Sequence, residues 1–389
     1  MAQDRMPGGT EDRRAFLKQA LALGVAAPVL GALSGTGVAY AEQRPGSPLL
    51  RTSAGLTSLQ RAGQRVVFSY PGLSVPSSLL QQISAGEAAG VIFFGENISS
   101  ESQIASVVAQ LRQAQAQSPV PAPLLLMTDQ EGGLVRRLPG EPTLSEKQIG
   151  ASSNPASAAA QAGTGAGHNL AGVGMNVNLA PVLDVFYAAG NFIDQYQRSY
   201  SSNAATVTTC GQAFITAQQA TGVAATAKHF PGLGAASKSQ NTDTGPVQLL
   251  VSLSTLRAKD EAPYPAAIAA GVKLIMVSWA IYPALDSGRP AGLSSAVVRN
   301  ELRTRLGYQG VTITDALEAG ALGAFGSTRS RATSAARAGM DLILCSARDV
   351  RQGQAAVTGL ANALDNGSLS ARQFTTAVDR VTALRNSLH

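Results

Sequence analysis

Two cysteines, three histidines and one tryptophan are few for a chain of 389 residues, and each scarcity removes a class of function. Cys210 and Cys345 have no metal-ligand spacing and read as two buried free thiols. His168, His229 and His389 contain no pair at ligand spacing, so metal catalysis has no support. Charged residues make up only 14% and aromatics 5%. The net charge of +6 is scattered, with no Lys/Arg run, and gives no footprint for nucleic acid. No G-x-S-x-G elbow is present for a serine nucleophile. No Gly-rich phosphate fingerprint follows the first strand-like run, which reads Val67-Phe68-Ser69-Tyr70-Pro71-Gly72. No cofactor is implied.

Long apolar runs are missing too. The apolar stretch 20–33 is rich in Gly and Ala and shorter than the ~20 residues a spanning helix needs. It follows Asp12-Arg13-Arg14-Ala15-Phe16-Leu17-Lys18, a twin-arginine motif, and precedes Val38-Ala39-Tyr40-Ala41, an A-x-A type cleavage site. Residues 1–41 are therefore expected to be a cleaved twin-arginine export signal. The mature chain is expected to be extracellular, wall-associated or periplasmic, with no stable membrane span and a net charge of +5.

What the chain does have is glycine, 40 residues of it, and an unbroken alternation of apolar strand-like runs with helical stretches. The runs are 66–68, 90–94, 124–127, 175–180, 223–227, 274–277, 311–314 and 342–345. Most are short and nearly continuous in apolar residues, as strands buried on both faces should be. Helical stretches at 101–116, 156–171, 203–221, 294–306 and 331–338 lie between them. Eight alternations without a break predict a single-domain α/β fold, a (β/α)8 TIM-like barrel. Terminal helices within 357–388 are expected to close it. The expected division is 1–41 export signal, 42–60 lead-in segment and 61–389 barrel with its C-terminal helices.

In such barrels chemistry sits at the carboxyl ends of the strands, and those ends are polar here. The third run ends in Thr128-Asp129-Gln130-Glu131, with Arg136 and Arg137 just beyond. The fourth leads to Asp184 and then to Arg198-Ser199-Tyr200; the fifth ends at Lys228-His229. The sixth ends in Ser278-Trp279 and the seventh in Thr314-Asp315. Carboxylates with cationic neighbours around a barrel mouth suit glycosidic bond cleavage. One carboxylate attacks the anomeric carbon while an acid protonates the leaving oxygen. Buried Asp accepts from sugar hydroxyls, and Arg or Lys donates to their oxygens.

With these residues in view, the chain resembles glycoside hydrolase family 3, in its single-domain β-N-acetylhexosaminidase branch. The matching stretches are Asp129-Gln130-Glu131-Gly132-Gly133, residues 178–185 (NLAPVLDV), Arg198-Ser199-Tyr200 and Lys228-His229-Phe230-Pro231-Gly232. They continue in Gly292-Leu293-Ser294, 306–317 (LGYQGVTITDAL) and 338–344 (AGMDLIL). The resemblance implies a TIM-like barrel and an oligosaccharide substrate, with Asp315 as the retaining nucleophile. The bland reading of Asp315 is a cap on the following helix. By the same resemblance Asp129, Arg137, Arg198, Lys228 and His229 hold sugar hydroxyls. Glu131 and Arg136 are expected in surface or structural pairing, Asp184 as a structural partner in the rim, and His168 as a satisfied or exposed histidine.

The chain departs from the family in one loop. Where the branch runs from Lys-His-Phe-Pro-Gly to Asp-Ser-His, whose His is the acid/base, this chain has 233–245 (LGAASKSQNTDTG) without a histidine. Either Gly245 replaces that His, or Asp243 occupies its place; in both alignments Asp243 is the carboxylic acid available in the loop. It can act if burial or a nearby anion raises its pKa, and Lys238 would oppose this if it folded inward. Three readings stay open: a retaining β-N-acetylhexosaminidase acting on cell-wall or chitin-type oligosaccharides, a catalytically weakened saccharide-binding barrel, or a β-glucosidase/xylosidase-type hydrolase.

Overall fold

A computed structural model describes residues 55–388. The expected export signal and residues 42–54 of the lead-in lie outside the described residues. The expected start of the barrel at residue 61 falls within the helix Ser58–Gly63, which is closed at its start by a reciprocal Thr57–Gln60 capping box.

Eight parallel strands follow the eight apolar runs. They are β1 (Val66–Phe68), β2 (Gly90–Ile92), β3 (Leu125–Thr128), β4 (Val177–Asn178), β5 (Ala224–Phe230), β6 (Leu274–Val277), β7 (Val311–Thr314) and β8 (Ile343–Leu344). Their order is β7-β6-β5-β4-β3-β2-β1-β8, and a parallel bridge between Ile313 and Leu342 joins the two ends. The sheet is the expected (β/α)8 barrel.

Alternation along each strand splits the apolar side chains into two layers. Val67, Ile92, Met127, Leu179, Met276 and Leu344 belong to the inner cluster. Val66, Phe68, Val91, Leu126, Ile275 and Ile343 point outward into the helical shell. The amino-terminal end of the barrel is plugged by the helix Ala371–Asn386, whose Val381 and Leu384, with Leu388 beyond, join the inner cluster. Buried Arg385 fastens that plug. It donates to the carbonyls of Pro123 and Ala122, both at 2.6 Å, and to the Gln64 side chain.

The helical stretches form with two differences. The expected terminal helices are Val350–Asp365, which starts ahead of residue 357, and Ala371–Asn386; they part at Gly367, whose φ of 75° no continuing helix can use. The 294–306 stretch forms a wide-turn π-helix, Ala296–Arg305, closed by a bond from Leu306 N to the Glu301 carbonyl five residues back.

Candidate active site

At the carboxyl end of the barrel lies a cavity of about 320 Å³. Asp129, Arg137, Arg198, Lys228, His229, Asp243 and Asp315 all line it, although they come from β5 itself and from the four connections after β3, β4, β5 and β7.

Lys228 and His229 are adjacent on β5, so regular alternation would send them to opposite faces. The ladder between β5 and β6 shifts register between Ala227 and Phe230, and this irregularity lets both side chains face the cavity. The turn that follows is forced by close packing. A Cβ on Gly232 would lie 2.7 Å from the Asp260 Cβ, and one on Gly234 would lie 1.9 Å from the Val185 carbonyl oxygen.

The Lys228 ammonium, 2% exposed, donates to Asp129 Oδ1 at 2.7 Å and contacts Glu131 Oε1 at 2.8 Å. Arg198 grips Glu131 with two bonds of 2.9 Å, Nε to Oε2 and Nη2 to Oε1. Glu131 is therefore a buried hub between two cations, which takes the structural alternative and corrects the surface one. Burial alone would raise its carboxyl, but the charges of Arg198 and Lys228 overcome that and hold it at about 2. Lys228 is raised despite its burial, because Asp129 and Glu131 outweigh the desolvation. Arg136 stays half-buried and donates to the Gly140 carbonyl at 2.7 Å.

Asp184 stands one layer behind. Fully buried, it accepts from His229 Nδ1 at 2.7 Å and from the backbone N–H groups of His229 (3.3 Å) and Leu233 (2.7 Å). It fixes the imidazole and the start of the Gly232–Gly234 turn together. His168 lies away from this cavity, on the helix Pro155–Gly172, beside a separate surface depression.

Asp315 follows β7 and is half-buried. Its Oδ1 accepts from Ala316 N at 2.7 Å. The role of helix cap falls to another residue, because Ser327 caps the next helix, Thr328–Ala338. The Asp315 turn is held from below by Trp279, whose Nε1 donates to the Ala316 carbonyl at 2.8 Å. Trp279 is fully buried and packs against Gly292, where any Cβ would come within 2.5 Å of the indole ring.

Asp243 lies in the loop that departs from the family pattern. Asn241 Oδ1 accepts from Asp243 N at 2.8 Å, an Asx-type turn. Two further bonds, Gly320 N to the Asp243 carbonyl (2.8 Å) and Ala321 N to the Thr242 carbonyl (2.9 Å), tie the loop to the chain just after Asp315. Gly320 permits that approach, since a Cβ there would meet the Thr244 backbone at 2.5 Å. Much of Asp243 is open to water at the rim. The protein around it, and next the negative charge of Asp315, still push its carboxyl above the ordinary range, against the pull of Arg198 and His229. Lys238 is exposed and does not line the cavity.

The cavity also has an apolar part, outside the polar strand ends. Phe94, Phe192 and Tyr196 line the cavity, with Phe192 and Tyr196 edge to face at 6.0 Å between ring centroids. No motif announces them. They are loop aromatics in a chain that has few, and that scarcity was the available signal. Among the described residues no group of three or more His, Cys, Asp or Glu side chains could hold a metal ion.

Comparison with known proteins identifies the family. The model of the glycosyl hydrolase family 3 N-terminal domain matches residues 70–384. A protein of Arthroderma benhamiae, named an uncharacterized secreted glycosyl hydrolase, is 48% identical over 330 residues, which is 84% of this chain and 93% of that one. The chain belongs to glycosyl hydrolase family 3 and is a glycoside hydrolase. Among solved structures, a family 3 β-N-acetylglucosaminidase from Paenibacillus superposes with a TM-score of 0.80 at 34% identity, covering 86% of this chain and 63% of that longer one. A β-N-acetylhexosaminidase from Beutenbergia cavernae gives a TM-score of 0.77 at 32% identity, covering 86% of this chain and 99% of its own.

Proposed function

We propose that this glycoside hydrolase is a retaining β-N-acetylhexosaminidase with Asp315 as nucleophile and Asp243 as acid/base. The observation that carries the reading is the pairing of two carboxyl groups on one cavity, with Asp243 pushed up in part by the charge of Asp315. A carboxyl that holds its proton more tightly than usual, next to a second carboxyl group placed to attack, is the division of labour that retaining hydrolysis needs. Asp315 attacks the anomeric carbon as Asp243 gives its proton to the departing glycosidic oxygen. Asp243, now ionised, takes a proton from the water that displaces the sugar from Asp315. Asp129, Arg137, Arg198, Lys228 and His229 bind the sugar hydroxyls; Lys228 has three N–H donors and engages Asp129 and Glu131. The names of the Paenibacillus and Beutenbergia proteins support an N-acetylated sugar. The secreted relative, together with the twin-arginine stretch 1–41, supports export of a mature chain that starts after Ala41 and acts on cell-wall or chitin-type oligosaccharides.

The test uses aryl β-N-acetylglucosaminides that differ in leaving-group pKa. Asp243→Ala should slow poor leaving groups by about 10²–10⁴-fold and activated ones far less. Equal losses on both would remove Asp243 from the acid role. A fluorinated sugar that traps the glycosyl-enzyme should label Asp315. Binding without a covalent adduct would favour the saccharide-binding reading, and preference for aryl glucosides or xylosides would favour the other hydrolase reading.

A further inference from the structure

A second cavity, also about 320 Å³, lies at the opposite end of the barrel. Its lining comes from residues just before β1 (Arg65), β7 (Gln309) and β8 (Met340, Asp341), and from the helices Ala296–Arg305 and Ala371–Asn386. Five of the lining residues are arginines, Arg65, Arg299, Arg303, Arg372 and Arg380, against one carboxylate, Asp341. Asp379, the neighbouring acid on the last helix, does not line it.

Asp341 is already occupied. Its Oδ2 accepts from Arg303 Nη2 (2.5 Å) and from the N–H (2.9 Å) and hydroxyl (3.1 Å) of Thr312, and its Oδ1 accepts from Arg380 Nη1 (2.7 Å). The lining residues carry four more positive than negative charges. Arg65 is committed to the Met340 and Asp341 carbonyls and Arg303 to the Tyr308 and Gly310 carbonyls and Thr312, which leaves Arg299, Arg372 and Arg380 to meet a ligand. Burial lowers Arg65 to about 10, and Arg299 and Arg380 add to that against Asp341, so these cations repel one another. Arg299 uses its Nη2 for the Arg337 carbonyl and Gln373 Oε1, and Arg380 its Nη1 for Asp341. Gly339, with φ of 114°, lets Arg299 lie across the cavity, where a Cβ would press its guanidinium at 3.3–3.4 Å.

We propose that this cavity binds the phosphoryl group of an anionic ligand. Guanidinium groups pair with carboxylate and phosphate oxygens alike. A planar carboxylate is satisfied by two of them, as Asp341 already is. Arginines converging from two helices, Arg299 from one and Arg372 and Arg380 from the other, suit instead a tetrahedral anion with oxygens in several directions. The bound group would tie the plugging helix, through Arg372 and Arg380, to the start of β8. Free phosphate and the phosphates of a polymer present the same chemistry.

The experiment uses the full chain at constant ionic strength, with inorganic phosphate or polyphosphate replacing chloride. Calorimetric binding and a rise in Tm are expected for the native chain. Binding should weaken by about tenfold or more in Arg299→Ala/Arg372→Ala, with glycosidase activity unchanged. Arg372→Glu, a substitution at an exposed position, gives the same readout if the double variant folds poorly. Polyphosphate binding more tightly than phosphate assigns the site to a polymer, and equal affinity per phosphate assigns it to the free ion. No rise in Tm with either anion, or the same rise in both variants, overturns the proposal.

Discussion

At the scale of single residues, the proposed sugar subsite is a problem in compensating buried charge. Lys228 and Arg198 are two cations in one pocket wall, and Asp129 alone could not balance both. That arithmetic made Glu131 recoverable from the sequence, yet its place in a run of polar letters hid how deeply it is buried. Glu131→Gln should lower stability by about 3–5 kcal/mol, since it leaves a buried cation short of a partner, and should raise KM more than it lowers kcat. The sign with pH follows from the depressed carboxyl. The stabilisation from ionised Glu131 is full above the unfolded carboxylate value of about 4.3 and is lost as pH falls through about 2. Acid titration of Tm should therefore be flatter in the variant. Asp243 has the opposite sign. Its raised carboxyl keeps the proton to higher pH, and kcat/KM for poor leaving groups should fall as that proton is lost. In Asp243→Asn this alkaline limb should vanish from the pH–rate profile.

Individual elements were legible to different degrees. Strands read clearly because each is buried on both faces and carries a nearly continuous apolar run. The helix Glu101–Ala116 likewise coincides with its predicted stretch. Two things were not readable. The register shift in β5 that turns Lys228 and His229 to one side depends on pairing with β6, which no local pattern encodes. The path of 233–245 is set by bonds to Gly320 and Ala321, more than seventy residues downstream, so spacing alone could not locate Asp243. The turn after β7 has a similar long-range support, Trp279 against Gly292. Gly292→Ala should lower stability by about 1–3 kcal/mol through overpacking and reduce kcat, because the displaced indole no longer holds the Ala316 carbonyl. Thermal unfolding and steady-state kinetics together check this.

For the whole molecule, the barrel has an end that carries the proposed active site and a plugged end, and the plug is part of the core. Leu384→Ala should cost about 2–5 kcal/mol, measured as a fall in the denaturation midpoint, while KM of the remaining folded enzyme stays unchanged. The chain's single tryptophan sits directly under the proposed nucleophile. Intrinsic indole emission from this protein is thus a one-site optical probe, free of background from any second indole. Rapid mixing with a trapping sugar should produce a fluorescence change whose rate equals that of covalent labelling, and Asp315→Ala should abolish it. A label-free stopped-flow trace would then time the two halves of the reaction separately.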